Sequence, residues 1–339
     1  MKKNILHLIL FLFLPFTGLM AQDFHYSQFY NEPLNFNPSL AGMYDGDKRF
    51  ILSLRDQYRS IPVPYSTFSL NYDMKFLPQR PKKGFFSAGV IFNYDRQGSS
   101  ALTLYNLNLA GSYTYYLTPQ HLISGGGLIG FSNRGFSEDN LSWDNYWDPV
   151  RETVDPTLGS GEPFERYRFS FLETGAGVNY RFQHSVRNSL MLGASAFHLT
   201  QPSQNFSGVT VDPLDIRLSL MAIANVKLTK ELDIQGQFLY QKQDVYKETV
   251  LGGFIKLYIN NKLGKQLSLN LGLMNRFGEG IAPKIAVEYN SWYVGLNYDV
   301  VTKKDLSEYS NYRGGPEIHL KYVIKNVKPF GEFKICPIY

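Results

Sequence analysis

The chain has 339 residues, a formal net charge of +5 and a single cysteine, Cys336. The small charge gives no indication of a nucleic-acid partner, and one cysteine excludes an intramolecular disulfide framework and a thiolate metal site. Aromatic residues make up 15% of the chain, yet no segment after residue 21 approaches the ~18 consecutive apolar residues of a membrane-spanning helix. The composition therefore favours a membrane β-barrel, the other structure that satisfies every backbone group inside a bilayer.

The first residues have the pattern of a secretory signal peptide. Lys2 and Lys3 precede an apolar run from residue 5 to residue 16, and Ala21 is a small residue at the expected cleavage site. A signal anchor is the alternative, but the run is shorter than the ~20 residues needed to cross a bilayer. We expect residues 1–21 to be removed on export.

Residues 22–46 follow neither the period of a strand nor that of a helix. The stretch FHYSQFYNEPLNFNPSLAGMY (24–44) contains prolines that disfavour regular pairing and too many aromatic residues for a solvated linker. We expect it to fill the lumen of a barrel as a hatch; an arm that orders only on a partner is the alternative. The lumenal hatch candidates are Tyr26, Phe29, Tyr30, Pro33, Asn37, Pro38 and Gly42.

From residue 47 to residue 325 the dominant pattern is the two-residue alternation of barrel strands. In TFSLNYDMK (67–75), for example, Phe68, Leu70 and Tyr72 alternate with polar residues. The predicted strands are 48–57, 65–76, 84–96, 101–117, 121–134, 166–183, 188–200, 214–229, 231–243, 246–260, 265–277, 281–290, 291–301 and 315–325. An even number is typical of bacterial single-chain barrels, so we predict an all-β fold, a transmembrane antiparallel barrel of about fourteen strands.

A soluble β-sandwich is the alternative for any single alternating strand. The length of the runs and the tyrosines near their ends, such as Tyr258 and Tyr289, favour instead a membrane barrel with an aromatic girdle. Charged residues on the predicted inward faces carry both signs, which favours structural ion pairs over a selectivity ring. They are Glu173, Asp233, Glu248, Glu288, Asp299 and Glu317, with Arg181, Arg217, Lys256, Arg276, Lys284 and Lys321.

The sequence contains only weak matches to motifs for nucleotide binding, metal binding or catalysis. Residues 125–130 (GGGLIG) match G-x-G-x-x-G, but the dinucleotide fingerprint needs a helix next, whereas FSNRGFSEDN follows. We interpret these glycines as sites of curvature or of close approach by a lumenal segment. The histidines lack metal-ligand spacing, and no Ser and His pair stands out. We expect no enzyme activity, and no catalytic residue, metal or cofactor.

The longest connection, residues 137–166, is predicted to face outward, as long loops of such barrels do. Trp143 and Trp147, beside Asp144 and Asp148, are candidates for contact with a partner. Packing of the loop on itself is the alternative. The chain ends with residues 326–339, which we expect to form a periplasmic tail that contains Cys336.

The stretches QDFHYSQFY (22–30), PL (33–34), NPSLAG (37–42) and RDQYR (55–59) form a block. This block resembles the N-terminal signature of the PorP/SprF family of type IX secretion system outer-membrane proteins. Tyr58 stands where tryptophan is usual in that family. The resemblance covers roughly residues 22–75, and the rest of the chain is similar in length and strand pattern.

The resemblance implies an integral protein of the outer membrane of a Gram-negative bacterium. It also implies partners, namely type IX secretion components and a large secreted cargo such as a gliding adhesin, which the protein helps to secrete or attach. The runner-up is an outer-membrane channel for a small apolar solute, because Asn37, Pro38 and Ser39 also resemble the N-terminal hatch of fatty-acid transporters.

Overall fold

The computed structural model describes residues 25–61, 64–76, 83–98, 100–137, 141, 143–161, 166–204, 206, 213–262 and 264–325. These residues form a closed antiparallel barrel of fourteen strands, which confirms the predicted fold class. The signal peptide and the C-terminal tail with Cys336 lie outside the described residues.

The strands follow one another around the barrel in chain order. They are β1 (Lys48–Gln57), β2 (Tyr65–Phe76), β3 (Gly84–Gln97), β4 (Leu102–Tyr116), β5 (His121–Gly135), β8 (Arg168–Gln183), β9 (Ser189–Phe197), β10 (Arg217–Lys227), β11 (Leu232–Gln243), β12 (Tyr246–Asn260), β13 (Leu267–Arg276), β14 (Gly280–Tyr289), β15 (Trp292–Val301) and β16 (Arg313–Ile324). Two short strands between β5 and β8 form a separate ribbon, β6 (Trp147–Asp148) and β7 (Thr153–Val154). The barrel closes where β1 pairs with β16, from Lys48 opposite Ile324 to Arg55 opposite Glu317.

Helical turns are few and short. They are Phe29–Asn31, Pro33–Phe36, Pro38–Leu40, Asp144–Tyr146, Pro156–Leu158 and Lys304–Ser310. Among the described residues, no helix has both the length and the apolar character that crossing a membrane requires.

The predicted alternation is present on the strands. On β4, Leu107 and Leu109 are 54% and 57% exposed, whereas Asn106 and Asn108 between them are 5% and 4% exposed. Successive side chains of a strand point to opposite faces, so this pattern puts leucines outside the barrel and asparagines inside. An apolar outer face suits contact with lipid hydrocarbon, and a polar inner face suits a lumen.

Part of the inner face departs from this rule. On β10 to β14 buried apolar side chains point inward, and we call this set the apolar wall: Met221, Ile223, Leu239, Val250, Phe254, Met274 and Ala282.

The assignment of Tyr258 to an outward aromatic girdle is wrong. Its hydroxyl donates to Asp233 Oδ2 at 2.7 Å and the Arg187 guanidinium lies 4.2 Å from its ring, so it faces inward with Phe254, four residues earlier.

The two ends of the barrel differ. Residues 47 and 325 lie at one end, the terminal end, where strands are joined by short connections such as 117–120, 228–231 and 290–291. The opposite end, the loop end, carries the long connections 136–167, 198–216 and 302–312. The predicted outward loop 137–166 is therefore at the end opposite the chain's entry into the first strand.

Candidate functional site

Residues 25–44, the lumenal segment, lie inside the barrel. Their side chains and backbone hydrogen-bond to inward groups of β1 to β5, β8 to β10, β15 and β16. Aromatic and aliphatic side chains of the segment pack on the apolar wall, which covers the remaining arc of strands. Contacts on every side of a closed barrel mean that the segment occupies its interior.

The beginning of the segment is held by buried charges. Backbone N–H groups of Ser27 and Gln28 donate to the two carboxylate oxygens of Glu317 at 2.9 and 2.8 Å. The Ser27 hydroxyl donates to Asp299 Oδ1 at 2.7 Å, and Arg55 pairs with Asp299 at 2.6 Å and with Glu317 at 3.3 Å. One arginine thus compensates two buried carboxylates that would otherwise be costly to bury.

Glu32 is at the centre of the polar contacts and is fully buried. Its Oε2 accepts from Asn35 Nδ2 at 2.8 Å, Ser69 Oγ at 2.9 Å and Asn71 Nδ2 at 2.5 Å, while Oε1 accepts from the Ser53 hydroxyl. Burial nevertheless raises the pKa of Glu32, because the protein replaces the water around the carboxylate.

Ser53, His319 and Glu317 form a chain that is similar in composition to a catalytic triad. Ser53 Oγ lies 2.5 Å from His319 Nδ1, and His319 Nε2 lies 2.7 Å from Glu317 Oε1. All three residues are 0% exposed, and Ser53 also bonds to Glu32. A nucleophile needs space for its substrate, so these contacts assign the three residues to holding the lumenal segment.

We call the inward polar groups of β15, β16, β1 and β2 the polar wall. It consists of Ser53, Arg55, Ser69, Asn71, Asn297, Asp299, Glu317 and His319. It faces residues 27–35 of the segment, and its members bond to one another as well as to the segment.

The middle of the segment approaches the barrel backbone. Asn37 Nδ2 donates to the Val178 carbonyl at 3.0 Å, and the Ser124 hydroxyl donates to the Ser39 carbonyl at 2.8 Å. A Cβ on Gly126 would lie 2.7 Å from both the N and the Cα of Ser39, and one on Gly177 would overlap the Asn37 side chain. The glycines of GGGLIG therefore include one that permits close approach by the lumenal segment, as interpreted from the sequence.

The end of the segment is fixed by Asp73. Arg49 forms two hydrogen bonds of 2.8 Å with its carboxylate, and the Gly42 N–H donates to the same group at 2.8 Å. The Arg49 guanidinium also lies 4.3 Å from the Tyr44 ring. Gly42 has a φ of +74°, a conformation that glycine adopts without strain, and the chain turns there toward β1.

Apolar side chains of the segment fill the rest of the lumen. Tyr26, Phe29, Phe36 and Leu40 are at most 2% exposed and pack with the apolar wall. Leu34 packs in a second cluster with inward residues of β3, β4, β5 and β9. Burial of these three aromatic rings and two leucine side chains supplies several kcal/mol, at roughly 1.5–3 kcal/mol for each fully buried side chain.

The structure brings together all seven residues proposed from the sequence for the lumen. Six are buried and Tyr30 is partly buried. The sequence reasoning missed Gln28 and Glu32. Glu32 was detectable, because it is the only acidic residue between Asp23 and Asp45, and a lone carboxylate in an aromatic segment signals a buried partner.

The predicted lumenal ion pairs form only in part. Glu248 pairs with Arg276 at 2.9 Å, and Lys256 pairs with Glu288 at 2.6 Å. Glu173 pairs instead with His198, at 2.8 Å. Among the residues that the structure describes, no ion pair joins Lys284, Lys321 or Arg181 to a carboxylate.

The two tryptophans of the outer loop differ in exposure. Trp147 belongs to the β6–β7 ribbon, where it is paired with Val154, and the two are 52% and 60% exposed. Trp143 is partly buried. Asp148 accepts from the N–H groups of Val150 and Arg151 and so shapes the turn of the ribbon, while Asp144 is exposed at the start of a helical turn.

The family comparison decides what kind of barrel this is. The family described as type IX secretion system membrane protein PorP/SprF matches residues 19–322. The chain belongs to the PorP/SprF family. It is an outer-membrane protein of the type IX secretion system. The match begins before the lumenal segment and includes the block that carried the resemblance.

Solved structures similar to this PorP/SprF chain are outer-membrane barrels. The monoaromatic hydrocarbon channel CymD is 10% identical with a TM-score of 0.48, over 87% of this chain and 93% of that one. The Pseudomonas putida toluene transporter TodX is 10% identical with a TM-score of 0.47, over 89% and 94%. The KdgM porin is 8% identical with a TM-score of 0.39, over 81% and 99%. No curated protein matches the chain.

Membership also suggests how the barrel is oriented. Outer-membrane barrels have short turns on the periplasmic side and longer loops outside. We therefore infer that the terminal end of this PorP/SprF protein faces the periplasm and that the β6–β7 ribbon faces the cell exterior.

Proposed function

We propose that this barrel is needed for secretion or surface attachment of a large cargo protein, such as a gliding adhesin, and that it does not act as a solute channel. The observation that carries the proposal is the filling of the lumen in a member of a type IX secretion family. A channel needs a continuous path for its solute. Here the lumenal segment contacts the inward face on all sides.

The lumenal segment is proposed to be a permanent hatch. Its carboxylate, Glu32, and the carboxylates that bind its backbone are buried and hydrogen-bonded. Pulling the segment out would leave these groups without partners, at a cost of about 1–3 kcal/mol for each unsatisfied group. Contacts of this number favour a segment that stays in place during function.

The proposed contact surface for the partner is the β6–β7 ribbon. An exposed tryptophan is a type of anchor that interfaces use, and the ribbon presents Trp147 beside the exposed Val154 on a two-stranded scaffold. Asp148 stabilises the turn that holds the scaffold. The proposed surface for contact with the partner therefore still includes Trp143, Trp147, Asp144 and Asp148. Trp147 is the main contact.

The decisive experiment is deletion of the gene followed by surface proteomics and a solute-uptake assay. We expect loss of one large surface protein and unchanged uptake of small solutes. Loss of uptake of an apolar solute with an unchanged surface proteome would favour the alternative function, a channel for a small apolar solute.

The ribbon is tested separately. Deletion of residues 140–160 should leave a folded, inserted barrel and abolish display of the cargo. The paired substitution Trp147→Ser and Val154→Ser should weaken display. Val245→Ser, in the short turn between β11 and β12 at the same end of the barrel, where valine is 72% exposed, is the matched control. Unchanged display after the deletion would remove the ribbon from the proposal.

A further inference from the structure

A cavity of about 270 Å³ lies beneath the lumenal segment, toward the terminal end of the barrel. Its lining includes Arg187 and Val186 of the turn 184–188, and Val186 is 94% exposed, so the cavity is continuous with solvent at that end. Tyr30 of the lumenal segment closes it from above. We call it the basic cavity, because five of its lining side chains are cations and two are carboxylates.

Both carboxylates of the basic cavity already have partners. Asp233 receives two hydrogen bonds of 2.9 Å from Arg187 Nε and one of 2.7 Å from the Tyr258 hydroxyl. Glu288 accepts from Lys256 Nζ at 2.6 Å and from Asn270 Nδ2 at 2.8 Å. These contacts account for Arg187 and Lys256 and leave three cations.

Lys284 is the most constrained of the three cations. The residue is 6% exposed, and its Nζ lies 4.4 Å from the Tyr30 ring centroid, 4.1 Å from that of Phe254 and 5.3 Å from that of Tyr293. Rings attract an ammonium group through their π faces, but they do not neutralise it. Within the described part of the chain, Lys284 has no ion-pair partner.

Lys321 adds a second charge beside the same ring. Its Nζ lies 4.4 Å from the Tyr293 centroid, and its hydrogen bond to Asn31 Oδ1 is long, at 3.4 Å. Arg181, the third cation, donates to the neutral Gln183 Oε1 at 2.7 Å. Two ammonium groups that share one ring repel each other, and the carboxylate of the same cavity, Glu288, is already hydrogen-bonded to Lys256 and Asn270. The cations of the cavity therefore outnumber its anions, which is unfavourable at a largely buried site.

We propose that the basic cavity binds an organic carboxylate. The carboxylate accepts hydrogen bonds from the ammonium groups of Lys284 and Lys321, and the rings of Tyr30, Phe254 and Tyr293 contact the carbon skeleton. The rings favour an organic anion over inorganic phosphate, which has no apolar surface to place against them. The carboxylate comes either from a free periplasmic acid or from an acidic side chain of a peptide that enters at the terminal end.

This site is distinct from the proposed role in secretion, because it lies at the end of the barrel opposite the β6–β7 ribbon. Its ligand can be measured on the purified barrel without any cargo. A failure of the site therefore leaves the secretion proposal untouched, and a failure of the secretion proposal leaves the site untouched.

The experiment is isothermal titration of the purified full-length mature barrel in detergent. Two probes represent the two sources, glutarate for a free acid and the dipeptide acetyl-Glu-Phe-amide for a peptide, and inorganic phosphate is the third ligand. We expect one-to-one binding of at least one carboxylate probe, and the tighter of the two identifies the source. Phosphate should bind more weakly than that probe.

The variants Lys284→Met and Lys321→Met keep the aliphatic side chain and remove the charge. Each should weaken binding by about tenfold or more, because a charge-assisted hydrogen bond is lost. The matched control is Lys227→Met, an exposed lysine near the same end that does not line the cavity, and it should change affinity by less than about twofold. Heat-modifiable migration on gels verifies that each variant is folded.

Three results would overturn the proposal. The first is that neither carboxylate probe binds the intact barrel. The second is that the intact barrel and both lysine variants bind the carboxylate probe with equal affinity. The third is that phosphate binds as tightly as the better carboxylate probe.

Discussion

The polar wall and the apolar wall hold the same segment by different physical means. The polar wall uses hydrogen bonds of defined direction, such as those from the Ser27 and Gln28 N–H groups to Glu317. The apolar wall uses the burial of side chains such as Phe29 and Phe36 against methionine, leucine and valine. Hydrogen bonds to charged groups fix position, whereas apolar burial is favourable in many arrangements.

The position of the lumenal segment and the stability of the barrel therefore depend on different walls. We expect the polar wall to determine where the lumenal segment lies, and hence whether the lumen is closed. We expect the apolar wall to contribute free energy of folding with less control over position. Substitutions on the two walls should then differ in their effect on conductance, even where their effects on stability are similar.

The largest effect is expected for Glu317→Ala. The substitution removes the acceptor of two buried N–H groups and a partner of Arg55, and breaking a buried pair in this way costs about 3–5 kcal/mol. Urea unfolding in detergent measures the loss, and planar-bilayer recordings should show a higher single-channel conductance. Glu231→Ala, at an exposed residue, is the control and should change stability by less than about 0.5 kcal/mol.

Phe29→Ala tests the apolar wall. Phe29 is 0% exposed and packs edge-to-face with Phe36 at a centroid distance of 5.9 Å, so the cavity left by its removal should cost about 3 kcal/mol. Conductance should stay near that of the intact barrel, because the polar wall still fixes the segment. A conductance as high as that of Glu317→Ala would refute the division between the walls.

A smaller effect is expected at Gly126, which the backbone of the segment approaches closely. In Gly126→Ala the new methyl group would lie 2.7 Å from the Ser39 backbone, whereas a Cβ on the adjacent Gly125 meets nothing within 4 Å. Overpacking of this kind costs about 1–3 kcal/mol. The urea midpoints of the Gly126→Ala and Gly125→Ala barrels provide the measurement, and equal midpoints would contradict the close approach.

The smallest effect concerns pH. Because burial raises the pKa of Glu32 above its usual 4.5, the folded barrel binds a proton at this site more readily than the unfolded chain. The contribution of Glu32 to stability should therefore rise as pH falls from 7 toward 4.5. The stability difference between the intact barrel and Glu32→Gln, measured at several pH values, isolates this site, and a difference that is independent of pH would argue against it.

The sequence predicted the barrel well because the alternation of strands depends on local chemistry. Leu107 and Asn108 differ in polarity because one faces outward and the other inward, and this can be read without knowing the fold. The sequence also predicts that residues 24–44 fill the lumen. Their aromatics, asparagines and prolines suit neither a strand nor a linker, and a barrel of about fourteen strands has an interior that its own side chains do not fill.

The apolar wall could not be predicted from the local alternation of polar and apolar residues. Met221 and Ile223 are inward residues next to outward alanines, so polarity does not distinguish the two faces of β10. The inward side chains are apolar because they pack with Phe29 and Phe36, which lie almost 200 positions earlier in the chain. Tyr258 illustrates the same limit. A tyrosine near a strand end suits either an outward girdle or an inward hydrogen bond, and its partner, Asp233, belongs to another strand.

The closing pair of strands gives the lumenal segment a part in assembly. Glu32 bonds to Ser53 on β1, and Ser27 and Gln28 bond to Glu317 on β16, so the segment bridges the junction where the first strand meets the last. The partners on β16 are about 290 residues away along the chain and exist only once the last strand is added. The hydrogen bonds of Ser27 and Gln28 can therefore form only when the last strand is in place, and docking of the segment's first residues is coupled to closure of the barrel.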